Sequence, residues 1–191
     1  MSEHVCRGYM IHSTATYIET AYAPMAKKGI YDRIPPHTRE LLATLELSCW
    51  YPTDDLMELL RAIASHHRDT DGEQRLTLER VGRTIAEPAD STSLRLLFKL
   101  MTPALFATKA PALWERNNRG SKLRVVTYDD EARRMTVGLE GTRGRELLGA
   151  LVPGFVSRTL ELMGCTDPSV TSPVLDDAPH DELLYAFAWR G

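Results

Sequence analysis

The chain has 191 residues, 43% of them hydrophobic and 26% charged, with a formal net charge of -3. That is enough for one globular domain with a core of ordinary size, and it gives no electrostatic reason to hold nucleic acid or an anionic membrane. Cys6, Cys49 and Cys165 are odd in number and widely spaced, which suggests neither a disulfide framework nor a zinc knuckle and fits a reducing cytoplasm.

The N-terminal stretch MSEHVCRGYMIH lacks the basic region and apolar run of a secretory signal, and no segment approaches the ~18 apolar residues of a membrane span. From Ser13 to about Asn117 the pattern is helical, interrupted at IPPHT, HRDTDGEQ and EPADST. In LSCWYPTDDLMELLRAI the spacing predicts a helix with Thr53 as N-cap. Asp54 and Asp55 put negative charge at the positive end of its dipole, and Leu56, Leu59, Leu60 and Ile63 recur at i, i+3, i+4 and i+7. Trp50 and Tyr51 stand at the mouth of this helix, where they suit either pinning the joint to the core or edging a pocket. His66 and His67 follow at its C-terminal end; neighbours on a helix point about 100° apart, so a surface or capping role fits them better than a shared metal.

A second helix is expected from about Arg75 to Ala86, with Leu78, Val81 and Ile85 inward. A third begins near Asp90 or Ser91, carries Leu94, Leu97, Phe98 and Met101, and stops before Pro103. In TPALFATKAPALWERNNRG, Pro103 and Pro111 each suit the first turn of a short helix, and Gly120 closes the segment. The period then changes. KLRVVTYDDEARRMTVGLEG alternates Leu123 with Val125 and later Met135, Val137 and Leu139 around a polar DDEA turn, which predicts a hairpin. RELLGALVPGFVSRTLELMG carries the stripe Leu148, Leu151, Val152 and Phe155, with a kink expected at Pro153 and an end at Gly164. CTDPSVTSPVL reads as a weak strand and DELLYAFAWRG as a strong one, with Tyr185, Phe187 and Trp189 on one face and Leu184, Ala186 and Ala188 on the other. The expected architecture is α+β in a single domain: a helical layer over 1–119 packed on a four-stranded antiparallel sheet built by a β-β-α-β-β half over 120–191.

No H-E-x-x-H, G-x-S-x-G or Gly-rich phosphate loop is present, so no catalytic residue and no metal ligand is assigned. The adjacent pairs Asp54–Asp55 and Asp176–Asp177 diverge in direction, and the basic run Arg116 to Arg124 reads as a solvated turn before the hairpin. What remains is a set of aromatic and thioether side chains suited to a filled core or to the lining of a pocket for a small apolar ligand. The candidate ligand-facing residues are Trp50, Tyr51, Phe98, Met101, Phe106, Trp114, Phe155 and Tyr185.

The order of elements, with CWYPTDDLMELLRAI, LMTPALFATKAPALWERNNRG and DELLYAFAWRG, resembles a paralogous family of similarly sized bacterial proteins of unknown function, abundant in myxobacteria. The likeness covers nearly the whole chain. That family is similar in turn to the superfamily of heme nitric-oxide sensors, 4-vinyl reductase domains and trafficking-particle (TRAPP) subunits. The resemblance implies a helical layer on a four-stranded antiparallel sheet and a role in ligand sensing or protein scaffolding. It does not carry the superfamily's cofactors across: RLLFKLMTPALFATKAPALW contains no His for a heme, the Tyr-x-Ser-x-Arg triplet that holds heme propionates is missing, and Cys165 stands alone where the 4-vinyl reductase domains gather zinc-binding cysteines.

The function expected first is a non-enzymatic cytoplasmic sensor or binding module for a small apolar ligand, without a cofactor. Beside it stand an interaction or scaffold protein with a filled core, docking a protein partner or a second copy of itself, and an enzyme or accessory protein of secondary metabolism. None of the three involves nucleic acid or a membrane span.

Overall fold

A computed structural model describes residues 4–67, 71–87, 99–171 and 182–190. The chain opens on a short strand that the hydrophobic pattern did not signal. β1 (Val5–Arg7) pairs antiparallel with β2 (Trp50–Pro52) on one edge and with β3 (Asn118–Arg119) on the other, placing Cys6 opposite Tyr51 and Arg7 opposite Trp50. Strands of two or three residues are too short for alternation to register. Gly8, directly after β1, is required by close approach: a Cβ there would collide with the Glu46 carbonyl and the Tyr51 ring.

Four helices follow or interleave with this small sheet: α1 (Gly8–Ala21), α2 (Pro24–Tyr31), α3 (Pro36–Thr44) and α4 (Thr53–Ala64). In α4 the buried Leu56, Leu59, Leu60 and Ile63 match the predicted stripe. Thr53, expected as N-cap, is instead the first helical residue; Pro52 holds the cap position and the Thr53 N–H donates to the His4 carbonyl at 2.9 Å. The two aspartates part company as adjacent helical residues must. Asp54 is exposed and pairs with Arg143 at 3.1 Å, whereas Asp55 is buried and accepts the Thr38 hydroxyl proton at 2.7 Å.

α5 (Asp71–Ala86) buries Leu78, Val81 and Ile85 as expected. The helix expected to begin near Asp90 or Ser91, with Phe98, lies outside the described residues, although Met101 beyond it is buried. α6 (Pro103–Asn117) is one helix. Thr102 caps it by accepting the Leu105 N–H at 3.2 Å and Pro103 fills the first turn, but Pro111 starts no second helix: it lies within α6, where its missing N–H removes a single bond, the one to the Ala107 carbonyl.

The main sheet has the order β4-β5-β7-β6, antiparallel throughout, formed by β4 (Lys122–Asp129), β5 (Arg134–Glu140), β6 (Thr166–Thr171) and β7 (Glu182–Arg190). The predicted hairpin is β4–β5, its turn held by the Ala132 N–H on the Asp129 carboxylate at 2.9 Å. On β7 the inward face is the predicted one, Tyr185, Phe187 and Trp189 all being buried. At one end of the same strand Glu182 is 1% exposed, and its carboxylate takes both guanidinium arms of Arg124 at 2.7 and 2.6 Å. The carboxylate lies against Gly138, where any side chain would displace it.

Between the sheet and the helices runs α7 (Arg145–Leu162). The predicted stripe Leu148, Leu151, Val152 and Phe155 understates its burial. Leu147, Ala150, Val156 and Leu160 are buried as well, because β6 and β7 pack on one side of α7 and α5 on the other. The Tyr185 hydroxyl donates to the Leu148 carbonyl at 3.3 Å, tying sheet to helix. Pro153 lies inside this continuous helix, and Gly164, with φ +92°, ends the segment. Against α5 the approach is so close that a Cβ on Gly82 would strike the Leu151 carbonyl and one on Gly154 the Glu79 carbonyl. Arg83 to Glu161 and Arg158 to Glu87, each at 2.6 Å, flank the contact. These elements give the α+β arrangement expected, with α7 as the layer that joins helices to sheet.

Two glycines of α7 give an internal comparison. Gly149→Ala meets no atom within 4 Å and should raise stability by about 0.5–1 kcal/mol through helix propensity alone. Gly154→Ala, with the same propensity gain, should instead lower it by about 1–3 kcal/mol, as overpacking does. Urea midpoints of the two variants check the opposite signs. Trp189→Ala removes a buried ring stacked near Tyr128 and should cost ~3–5 kcal/mol, read as a large drop in the denaturation midpoint or as insoluble protein. An unchanged midpoint would contradict the packing of that sheet face.

Candidate functional site

α6 is anchored along β4 and β3 and stands off from the α5–α7 pair. The space left is a cavity of about 270 Å³. One wall is a helical stripe of α6, Phe106, Ala110, Leu113 and Trp114, at i, i+4, i+7 and i+8. Opposite it α7 contributes Leu151, Val152, Phe155 and Val156. The last turn of α5 adds Ile85 and Ala86, the first turn of α1 adds Tyr9 and Met10, and Leu123 of β4 closes the sheet side. The cavity is therefore bounded mostly by helices and touches the main sheet only at its edge strand.

Most polar groups on the lining are already engaged. The Trp114 indole N–H donates to the Ser121 hydroxyl at 3.1 Å, the Asn117 amide to the Leu113 carbonyl at 2.8 Å, and the Thr159 hydroxyl to the Phe155 carbonyl at 2.9 Å. Tyr9 differs. Its hydroxyl has no hydrogen-bond partner among the described residues, and burial pushes the phenol up, so it stays protonated and able to donate. Arg116 also lines the cavity while its side chain is exposed, which places it at the mouth.

Of the residues singled out from sequence, Phe106, Trp114 and Phe155 come together around this cavity. Trp50 and Tyr51 do not line it. The Arg7 and Arg119 guanidinium carbons lie 4.0 and 4.2 Å from the Trp50 ring centroid, and the Tyr51 hydroxyl accepts the Glu46 N–H at 2.9 Å, so both rings secure the joint between β1, β2 and β3. Met101 is buried in the core, the Tyr185 hydroxyl is spent on Leu148, and Phe98 lies outside the described residues. Tyr9, Met10 and Arg116 were missed. The stripe through Ala110 and Leu113 was available from helical spacing, but Tyr9 and Met10 follow an unrecognised strand, and Arg116 belonged to a run read as a solvated turn.

Elsewhere, titratable groups are arranged for packing. Burial, and then the Asp55 carboxylate, push the Cys6 thiol up to about 12, which leaves it unreactive. The Tyr22 hydroxyl meets His67 Nε2 at 2.8 Å, with the His66 ring 5.4 Å from the Tyr22 ring, so the adjacent histidines close onto the tyrosine that follows α1. Among the described residues no three His, Cys, Asp or Glu side chains gather as metal ligands. A heme does not fit the cavity's donors. Iron in a heme takes an axial His, Cys, Met or Tyr. Among the described residues the lining holds no His or Cys, the Tyr9 phenol is kept protonated, and Met10 alone offers a thioether.

No family model matches the chain, and no curated protein matches it. Solved structures share its fold. An Fe(II) unliganded H-NOX protein mutant from K. algicida superposes with a TM-score of 0.69 at 11% identity over 97% of each chain. A mutant H-NOX protein from S. oneidensis in the Fe(II) ligation state gives 0.66 at 8% identity, over 97% of this chain and 96% of that one. An oxygen-binding H-NOX domain related to soluble guanylate cyclases gives 0.60 at 10% identity, over 97% and 95%. At these identities the likeness is one of fold, and the chain has an α+β fold of the H-NOX type.

Proposed function

We propose that the chain is a non-enzymatic sensor or binding module that holds a small apolar guest between α6 and α7. The observation that carries this reading is the cavity, with apolar walls from four helices and few polar groups left unengaged. Its size supports the same conclusion. If the 270 Å³ were sealed and dry, a penalty of ~24 cal/mol per Å³ would amount to about 6 kcal/mol, a large share of the ~5–15 kcal/mol that holds a domain together. A space of that cost is one that narrows, hydrates at its mouth or takes a guest. The fold offers a parallel: the neighbours are H-NOX proteins, one of them described as oxygen-binding. The guest proposed here differs in kind, because the described lining offers no His or Cys to iron.

A guest that binds only the folded state stabilises it by RT ln(1 + [L]/Kd), about 2.7 kcal/mol at a hundredfold excess over Kd. A thermal-shift screen of apolar aromatics and fatty acids should therefore find compounds that raise the melting temperature, and native mass spectrometry should show one bound per chain. No stabiliser in the screen and no adduct would overturn the reading, as would a Soret band in the purified protein. Ala110→Leu offers a structural check, since Ala110 is 5% exposed on the cavity wall and a larger side chain fills the space. The variant should melt no lower than the parent in the absence of a guest, and the ligand-induced shift should vanish.

A further inference from the structure

We propose that the guest is an amphiphilic monoanion, a single carboxylate on an apolar body, whose head is held at the cavity mouth by the Arg116 guanidinium. This rests on the binding reading above and names the chemistry of the occupant. Three arginines gather where α6 ends. Arg7 Nε donates to the Arg116 carbonyl at 3.2 Å, and Arg7 and Arg119 both lie against the Trp50 ring. Elsewhere Arg83, Arg124, Arg143 and Arg158 each contact a carboxylate, but none of these three has one among the described residues.

The three are not equivalent. Arg7 is committed to the Ser48 and Arg116 carbonyls and to Trp50, and Arg119 is committed to Trp50. Arg116 alone lines the cavity, and its guanidinium makes no hydrogen bond or ion pair with the described residues. A position in the last turn of α6 already suits a cation, since the carbonyl end of the helix dipole is negative. That role needs no place on a cavity wall. Glu115, next in sequence, points about 100° away around the helix. Among the described residues the mouth is therefore positive, beneath apolar walls. A cationic head is repelled there, a neutral one gains nothing from the charge, and a single carboxylate matches the planar fork of one guanidinium in bidentate fashion.

The test uses matched probes, octanoate against octanol and hydrocinnamate against its alcohol, by calorimetric titration of the full chain at low and high salt. Each carboxylate should bind about tenfold more tightly than its alcohol at low salt, and the preference should shrink as salt rises, because the pair sits near water. Arg116→Gln should abolish the preference, weakening carboxylate binding far more than alcohol binding, and Arg116→Lys should retain part of it. With no side-chain bond to the described residues and only the small helix-end contribution to lose, Arg116→Gln should melt close to the parent temperature without ligand. Equal binding of acid and alcohol by the parent, or a preference that survives Arg116→Gln, would overturn the anion inference and leave the cavity reading intact. If none of the four probes binds, the cavity reading fails and this one with it.

Discussion

The contact on which the other layers depend is the crossing of α5 and α7 through Gly82 and Gly154. Each glycine lets the opposing backbone come where a Cβ would otherwise stand, so the two helices meet carbonyl against Cα rather than side chain against side chain. Such an approach tolerates no methyl group on either helix, and it fixes α7 in position and in rotation. The rotation matters because α7 serves two layers. Leu148 must present its carbonyl to Tyr185 on the sheet side while Leu151, Val152 and Phe155 present side chains to the cavity. The Arg83–Glu161 and Arg158–Glu87 pairs bracket the crossing, but they are partly exposed and screened, and contribute less than the packing.

A second constraint explains why the cavity persists. α6 could collapse onto α7 only if its own attachments gave way. Its C-terminal end runs directly into β3, which pairs with β1, and β1 is held in turn to β2 by their ladder and the Arg7–Trp50 contact. Along its length α6 follows β4, the edge strand of the main sheet. The helix is thus held by two sheets, while its apolar face looks toward α7 across a gap. Large-to-small changes in cores leave voids because the surroundings relax only in part; here the two sheet attachments limit relaxation in the same way. The small residues Ala86 and Ala110 then leave the gap open.

How much of this was legible follows from the length over which each element repeats its pattern. α4, the inward face of α5, the β4–β5 hairpin and the two faces of β7 were each predicted, because each repeats its period several times. β1, β2 and β3 were invisible, being too short to show any period, and with them went the reason for Trp50 and Tyr51 and the position of Tyr9. Pro111 misled in another way. Proline is a good marker of a first turn, yet inside α6 the loss of one hydrogen bond is outweighed by a helix already capped at Thr102 and packed along β4. Of the site, the aromatic members on α6 and α7 were singled out from residue type alone. Arg116 was not, since a charge run on a turn and a cation at a cavity mouth look the same until the fold places them.

Part of the cavity lining, Met10, Phe106, Leu151, Val152 and Val156 among it, belongs to the core itself, while other lining residues stand apart from the contacts that hold the layers. Gly82, Gly154, Trp189 and the Arg124–Glu182 pair support the layers without touching the cavity, whereas Tyr9, Phe106, Ala110, Leu113 and Arg116 face it. Effects at separated, unshared positions add nearly independently. A change at a lining residue that stands apart from those contacts, as Arg116 does, therefore costs the layers little. The similarity to H-NOX proteins at 8–11% identity is one of layers, and among the described residues this cavity presents no His or Cys. What the cavity does present among the described residues is apolar area and a cation at its mouth, the two features on which the proposed recognition by shape and charge rests.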